Sequence, residues 1–295
     1  MYKLVVSLVF IGCFFASVSA KDILVSSPDG AVTVAVGVKA SQPYYTVKYH
    51  GKTVVVPSRL GFQLDGGMLG GNSRMTGKHY ATKDETWTQP WGEELEVRNY
   101  YNELVVNFTE KNGLRMDVVF RVFNDGIGFR YILPRDKGEK YCIQDELTEI
   151  TLAHDAKAWS IPTNHTEYFE GIYTPDLLSR KDTVCTPLTI EYEDSLLLTI
   201  HEAALEDYAS INLTPRPSAN GVKLRTALSP WQNGVKVYCE GETKTPWRTI
   251  IIGRTAGELM TNRVMLNLNE PSRIDDTSWI EPGRYIGVWW SIHKK

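Results

Sequence analysis

The chain has 295 residues, of which 42% are hydrophobic and 23% are charged. This composition is typical of a globular protein and excludes a disordered or fibrous chain. The formal net charge of −3 comes without any stripe of Lys and Arg, which argues against nucleic acid as a partner.

The first twenty residues have the pattern of a secretory signal peptide. Lys3 makes the amino-terminal end positive, residues 4–15 form an apolar run too short to span a bilayer, and residues 16–20 are mostly small. We therefore predict cleavage after Ala20 and export of the protein. The alternative is a lipid anchor on Cys13, which fits less well because bulky side chains precede it. No other segment is long and apolar enough to cross a membrane.

Patterns typical of β-strands dominate the rest of the chain. Valines alternate strictly with other residues over 32–38, as in a half-buried strand. Asn112-Gly113 lies between two β-rich runs and is among the strongest signals for a hairpin. Turns are also predicted at His50-Gly51 and Asp125-Gly126. Further strands are predicted at 188–192, 196–201, 235–238, 249–252 and 264–268, and one short helix at 256–261.

Many short strands separated by Gly, Asn and Asp turns predict an all-β fold. No linker, repeat or low-complexity stretch divides the chain, so the simplest arrangement is one large, two-sheet β-sandwich of antiparallel strands. We place this domain at residues 21–283, after the signal peptide at 1–20. The Gly-rich stretch 66–72 is read as a loop, and it lacks the Lys-Ser/Thr of a phosphate-binding loop.

Glu202 stands out because it interrupts the apolar face of a predicted strand. Leu196, Leu198 and Ile200 alternate with less apolar neighbours, and side chains two residues apart share one face of a strand. Glu202 is the next member of that face. Burial of an unpaired carboxylate is costly, so Glu202 should have a cation, a proton or a partner. The alternatives are a strand end at the solvated rim or a pair with an Arg.

Other familiar catalytic patterns are missing or incomplete. His201-Glu202 is followed by Leu205, so the zinc motif H-E-x-x-H fails, and no Gly-x-Ser-x-Gly elbow occurs. Three carboxylates in the stretch 87–96 lie among tryptophans that could stack on sugars: Glu93, Glu94 and Glu96. The alternative for them is a solvated acidic loop. Three cysteines remain after residue 20 and allow at most one disulfide: Cys142, Cys185 and Cys239.

Several motifs of the sequence occur together in one known family. They are Trp87…Pro90-Trp-Gly-Glu93, Asn99-Tyr-Tyr-Asn-Glu-Leu104, Phe120-Arg-Val-Phe-Asn-Asp-Gly-Ile-Gly-Phe-Arg130, His201-Glu-Ala-Ala-Leu205, Thr245-Pro-Trp-Arg248, Leu266-Asn-Leu-Asn-Glu-Pro271 and Asp276-Thr-Ser-Trp-Ile-Glu-Pro-Gly283. In this order and over almost the whole chain, they resemble the N-terminal domain of glycoside hydrolase family 97.

The resemblance implies an exported bacterial enzyme, in the periplasm of a Gram-negative cell, that hydrolyses α-glucosidic or α-galactosidic bonds in oligosaccharides. It implies three parts: a large N-terminal β-sandwich, a catalytic (β/α)8 barrel and a small C-terminal β-domain. It also implies calcium at the active site. Most of the calcium ligands come from the barrel, and the one from the N-terminal domain falls on Glu202.

The N-terminal domain in this family also helps to form the substrate pocket. Lys223 and Arg225 lie about twenty residues past Glu202, and we take them as candidates for contacts with the sugar. The alternative for both is the solvated edge of a strand.

The resemblance ends before the parts that perform the chemistry. Residues 284–295 would lead from the sandwich into the first strand of the barrel, so the general acid and its partner carboxylate are not in this chain. We therefore predict that a longer protein is the enzyme and that this chain alone is inactive. The alternative function is a stand-alone, non-catalytic carbohydrate-binding β-sandwich.

Overall fold

The structure is a computed structural model that describes residues 22–163, 171–219 and 221–287. The predicted signal peptide and the last part of the predicted linker lie outside the described residues. In the described residues no helix is long and apolar enough to cross a membrane.

The first half of the chain is almost entirely strand. Its strands are β1 (Ile23–Ser26), β2 (Val32–Lys39), β3 (Gln42–Tyr49), β4 (Lys52–Arg59), β5 (Phe62–Leu64), β6 (Gly67–Leu69), β7 (Ser73–Thr88), β8 (Glu96–Glu110), β9 (Arg115–Phe123), β10 (Gly126–Leu133) and β11 (Lys140–Glu146).

The second half adds shorter strands and three short helical pieces. Its strands are β12 (Glu149–Leu152), β13 (Lys157–Ser160), β14 (Thr174–Leu177), β15 (Val184–Cys185), β16 (Leu188–Glu191), β17 (Leu197–Ala203), β18 (Ile211–Ser218), β19 (Gly221–Leu228), β20 (Val237–Glu240), β21 (Thr243–Lys244) and β22 (Trp247–Gly253). The helices are α1 (Ala256–Met260), α2 (Val264–Leu268) and a 3-10 turn at Leu178–Arg180.

Two large antiparallel sheets form the sandwich. The eight-stranded sheet has the order β1-β2-β3-β4-β12-β19-β18-β15. The ten-stranded sheet has the order β14-β13-β16-β17-β22-β10-β9-β8-β7, with β21 paired to β10. The prediction of an all-β sandwich is confirmed, and the structure adds a smaller sheet of four strands in the order β20-β11-β5-β6.

The core lies between the two large sheets and is filled by side chains that alternate along each strand. Tyr45 of the eight-stranded sheet packs on Phe120 and Phe129 of the ten-stranded sheet, with ring centroids 5.9 and 4.9 Å away. All three side chains are buried. Aromatic pairs at such distances add to the stabilisation that comes from burial alone.

The predicted hairpin at Asn112-Gly113 is confirmed, since it joins β8 to β9. Gly113 has a φ of +88°, a backbone conformation that residues with a Cβ rarely adopt, which explains the glycine in this turn. The predicted helix near 256–261 is confirmed as α1. The Gly-rich stretch 66–72 is not only a loop, because β6 lies within it.

The predicted strand at 264–268 is wrong, because these residues form helix α2. Val264 and Leu268 are four residues apart and therefore share one helical face, which packs on the outer side of the ten-stranded sheet. Gly128 allows this close approach, since a Cβ there would overlap with Leu268. A run of five mainly apolar residues is too short for its periodicity to separate a helix from a strand.

Candidate functional site

Glu202 lies near the end of β17, where this strand pairs with β22. The register places Glu202 opposite Arg248, next to the pair of Ala203 and Trp247. Leu198 and Ile200 on the same face of β17 are buried in the core. The alternation predicted from the sequence therefore places the Glu202 carboxylate at a core position, and the residue is only 7% exposed.

The Glu202 carboxylate has two partners. Arg248 donates from Nη1 to Oε2 at 2.7 Å, and the backbone amide of Ile211 donates to Oε1 at 3.0 Å. The pair with an Arg, one of the alternatives left open by the sequence, is thus present. The other alternative, a solvated rim, does not describe this residue.

Arg248 is shared with a second buried carboxylate. Its Nε donates to Glu146 Oε1 at 3.0 Å, and its Nη2 donates to Glu146 Oε2 at 2.5 Å. Arg248 is fully buried, and Glu146 is nearly so. Tyr208 closes the group, because its hydroxyl donates to Glu146 Oε2 at 3.4 Å. We call Glu146, Glu202, Arg248 and Tyr208 the buried charge cluster.

Two carboxylates and one guanidinium leave the buried charge cluster with a formal charge of −1. Burial raises the pKa of Glu202, the Arg248 charge and the Ile211 amide oppose that rise, and the Glu146 charge adds to it. Burial alone would lower the pKa of Arg248, but Glu146 and Glu202 together raise it above its ordinary value. Arg248 is therefore a fixed cation that two buried carboxylates share.

The buried charge cluster can contribute one ligand to a calcium site but does not form a complete site by itself. A carboxylate has about four lone-pair positions, and donors occupy two of those on Glu202. Calcium takes about six to eight oxygen ligands. In the described parts of the chain, no three His, Cys, Asp or Glu side chains are grouped to hold a metal ion. Further ligands for a calcium ion at Glu202 would have to come from elsewhere.

The loop after Glu202 is held by the end of α2. The amide of Ala204 donates to Asn269 Oδ1 at 2.9 Å, and Asn269 Nδ2 donates back to the Met265 carbonyl at 2.7 Å. Ala204 and Asp207 both have positive φ, of 52° and 46°, so the loop makes two tight changes of direction before it reaches Tyr208.

Lys223 and Arg225 are not brought to the buried charge cluster. On β19 the buried Leu224 and Thr226 alternate with them, and Thr226 Oγ1 donates to the Glu146 carbonyl at 2.6 Å. Lys223 and Arg225 therefore lie on the opposite face of the strand. Lys223 Nζ donates to Glu149 Oε1 at 2.9 Å. Their role in sugar binding stays a prediction.

The acidic stretch before β8 is an exposed loop anchored to α2. Arg263 pairs with Glu94, and the indole of Trp87 donates to Asn267 Oδ1 at 2.9 Å. Glu93 and Glu96 are exposed. This acidic loop is distant from Glu202 in sequence, but it is anchored to α2. Asn269, the residue directly after α2, holds the loop that follows Glu202. The three described cysteines are free.

Sequence reasoning missed Glu146, Arg248 and Tyr208. A signal for Arg248 was present, because it continues the face of Ile250 and Ile252 as Glu202 continues the face of Leu198 and Ile200. Two opposite charges, each next in line on the apolar face of a predicted strand, favour a pair. Nothing in the local pattern indicated Glu146, which reaches Arg248 from the four-stranded sheet.

The sequence matches a known family over most of the chain. The family model described as glycosyl-hydrolase 97 N-terminal matches residues 25–271. The chain belongs to this family. The match includes every member of the buried charge cluster.

Two curated relatives are described as a retaining α-galactosidase from Bacteroides thetaiotaomicron and a probable retaining α-galactosidase from Streptomyces bingchenggensis. They are 27% and 29% identical over 99% and 81% of this chain. The chain spans only 47% and 36% of their lengths.

A solved family 97 enzyme from Pseudoalteromonas sp. strain K8, in complex with acarbose, superposes with a TM-score of 0.86. It is 37% identical, and the match covers 92% of this chain and 41% of that one. A β-arabinopyranosidase with 23% identity and a TM-score of 0.72 shares the fold over 79% of this chain and 40% of its own.

Proposed function

We propose that this chain is the N-terminal part of an exported, calcium-dependent glycoside hydrolase that cleaves α-glucosidic or α-galactosidic bonds in oligosaccharides. The observation that carries the proposal is the family match over residues 25–271. The matched range contains the two buried carboxylates that share Arg248. Two curated relatives are named as α-galactosidases, and solved relatives are in complex with acarbose and panose.

In this proposal Glu202 supplies one hard oxygen ligand to calcium. Arg248 holds the carboxylate in one orientation, and the Ile211 amide fixes its second oxygen. A bound calcium ion would supply positive charge that neutralises nearby carboxylates and polarises the bond to be cleaved. The remaining ligands and the acid and base would come from a C-terminal catalytic barrel of the same polypeptide.

Export of the protein rests on residues 1–20. Their charged start, short apolar run and small residues before position 21 favour a cleaved signal peptide and, for a Gram-negative source, the periplasm. A lipid anchor on Cys13 is the alternative. Mass spectrometry of the amino terminus of the native protein separates the two, since cleavage after Ala20 leaves Lys21 first and a lipid anchor leaves a modified Cys13.

Hydrolysis by the protein at its native length tests the proposed function. The protein purified from its source should release nitrophenol from 4-nitrophenyl α-glucoside or α-galactoside, and a calcium chelator should abolish this activity reversibly. Glu202→Gln should reduce it by at least about a hundredfold, because the ligand charge is lost while the side-chain volume is kept. Glu191→Gln is the matched control, since Glu191 is a surface carboxylate paired with Lys157.

A native protein that cleaves neither substrate contradicts the proposal, as does an activity that the chelator and Glu202→Gln leave unchanged. A native protein no longer than this chain that binds oligosaccharides without cleaving them would favour the stand-alone carbohydrate-binding sandwich.

A further inference from the structure

An open cavity of about 570 Å³ lies beside the loop that follows Glu202. Its walls come from that loop and from the turn that leads into β20. The side chains that matter for its chemistry are Asp207, Tyr208, Trp231, Gln232, Lys236 and Tyr238. We call it the Trp231 cavity. Its volume is within the range of roughly 300–1,000 Å³ typical of small-molecule sites.

Two aromatic side chains form an exposed wall of the Trp231 cavity. Trp231 is 62% exposed and Tyr238 is 54% exposed, and their ring centroids are 5.9 Å apart in an edge-to-face arrangement. Asn233 Nδ2 donates to the Tyr238 hydroxyl at 2.6 Å, which fixes the phenol ring. Large aromatic side chains that are held open to water are typical of binding surfaces, because they offer apolar area at a low cost in conformational entropy.

The backbone under this wall is held in one conformation. The amide of Trp231 donates to the Val235 carbonyl at 2.8 Å, and the amide of Gly234 donates to the Trp231 carbonyl at 2.8 Å. The amide of Lys236 donates to the Ile143 carbonyl on β11 at 3.0 Å. A ligand that stacks on Trp231 therefore has little ordering cost to overcome.

The polar groups of the Trp231 cavity indicate a neutral ligand with many hydroxyls. Asp207 and Lys236 carry opposite charges, and Gln232 adds an amide with both a donor and an acceptor. A phosphate or a nucleotide would require an excess of positive charge, which these residues do not provide. A pyranose ring offers an apolar face of C–H groups to an aromatic ring and hydroxyls to carboxylate, amide and ammonium groups around it.

Tyr208 joins the Trp231 cavity to the buried charge cluster. It lines the cavity, and its hydroxyl donates to Glu146 Oε2 at 3.4 Å. Only residues 203–207 separate Glu202 from Tyr208 along the chain. An oligosaccharide with one end near Glu202 could thus extend over this surface.

We propose that the Trp231 cavity is an oligosaccharide-binding subsite in which Trp231 and Tyr238 contact the sugar rings and Asp207, Gln232 and Lys236 bind their hydroxyls. The choice of an oligosaccharide over another neutral polyol rests on the proposed function. The subsite itself uses no calcium and no residue outside the described chain.

Isothermal titration calorimetry on the chain from residue 21 to residue 295 tests this subsite, with maltotriose and raffinose as probes. Wild type should bind at least one of them with a dissociation constant in the millimolar range or below. Trp231→Ala should weaken binding by about five- to tenfold, in line with the loss of one aromatic contact. Trp159→Ala is the matched control, because Trp159 is also an exposed indole on a strand of the sandwich and should be replaceable without effect.

A second variant keeps the test independent of folding defects. Asp207→Asn retains the volume and tolerates the positive φ at this position, so it should weaken binding while the thermal unfolding midpoint stays unchanged. The proposal is overturned if wild type binds neither probe, if Trp231→Ala binds as wild type does, or if Trp159→Ala loses as much affinity. A calcium chelator should leave this binding unchanged although it should abolish the proposed hydrolysis, so the subsite and the proposed function fail on different readouts.

Discussion

Arg248 is the one cation of the buried charge cluster, and it pairs with both of its carboxylates. It is fully buried between Glu146 and Glu202, so its removal would leave two buried carboxylates without their cation. Breaking a buried ion pair from one side is much more harmful than replacing the whole pair, because the remaining charge keeps its desolvation penalty.

Arg248→Met should lower the free energy of unfolding by about 3–5 kcal/mol. Urea unfolding of the chain from residue 21, followed by far-UV circular dichroism, measures this difference. Arg254→Met is the matched control, since Arg254 is exposed just beyond the end of the same strand, and its effect should stay within about 0.5 kcal/mol.

The triple variant Glu146→Gln, Arg248→Met, Glu202→Gln removes all three charges and should recover more than half of that loss. Equal stability of Arg248→Met and wild type would show that the cluster does not depend on its cation.

Part of this site could be predicted from the sequence. Glu202 was visible because it occupies a core position in an alternating strand. Arg248 lies 46 residues away along the chain, and only the pairing of β17 with β22 brings the two together. Glu146 comes from a third sheet, and strand pairing at that separation leaves no local pattern. Lys223 lies on the face of β19 that points away from the buried charge cluster. This placement could not be foreseen either, because it also depends on the pairing of strands distant in sequence.

Helix α2 is the element that connects the outer face of the ten-stranded sheet with the two loops around the candidate site. Leu268 is buried in one hydrophobic cluster with Trp247, Asn267 accepts from Trp87, and Asn269 accepts from the Ala204 amide. The sequence predicted a strand here, because five residues cannot show a helical period. Packing on the sheet stabilises α2, because helix propensity is weak for so short a segment.

Leu268→Ala should lower the free energy of unfolding by about 2–5 kcal/mol, because the residue is 1% exposed and its removal leaves a cavity against the sheet. Leu266 in the same helix is 37% exposed, so Leu266→Ala is the matched control and should cost well under half as much. Thermal unfolding by calorimetry compares the two variants. If both cost the same, α2 is not held to the sheet by this face.

The sandwich places one carboxylate, that of Glu202, at a core position near the end of β17. The all-β class and the hairpins followed from alternation and from turn residues. The number of sheets and their order could not be predicted, because they depend on pairings between strands distant in sequence, such as β4 with β12 and β15 with β18. The long, mostly exposed β7 was missed, because its charged and polar residues give no apolar face.

We propose that Glu202 contributes one ligand to a calcium ion whose other ligands come from a catalytic barrel of the same polypeptide. Calcium titration of the native-length protein by isothermal calorimetry tests it most directly, with Glu202→Gln compared with wild type and with Glu191→Gln. We expect one calcium ion per protein in wild type and in Glu191→Gln, and an affinity at least about tenfold lower in Glu202→Gln. Equal calcium affinity in all three proteins, or no calcium binding in wild type, would contradict it.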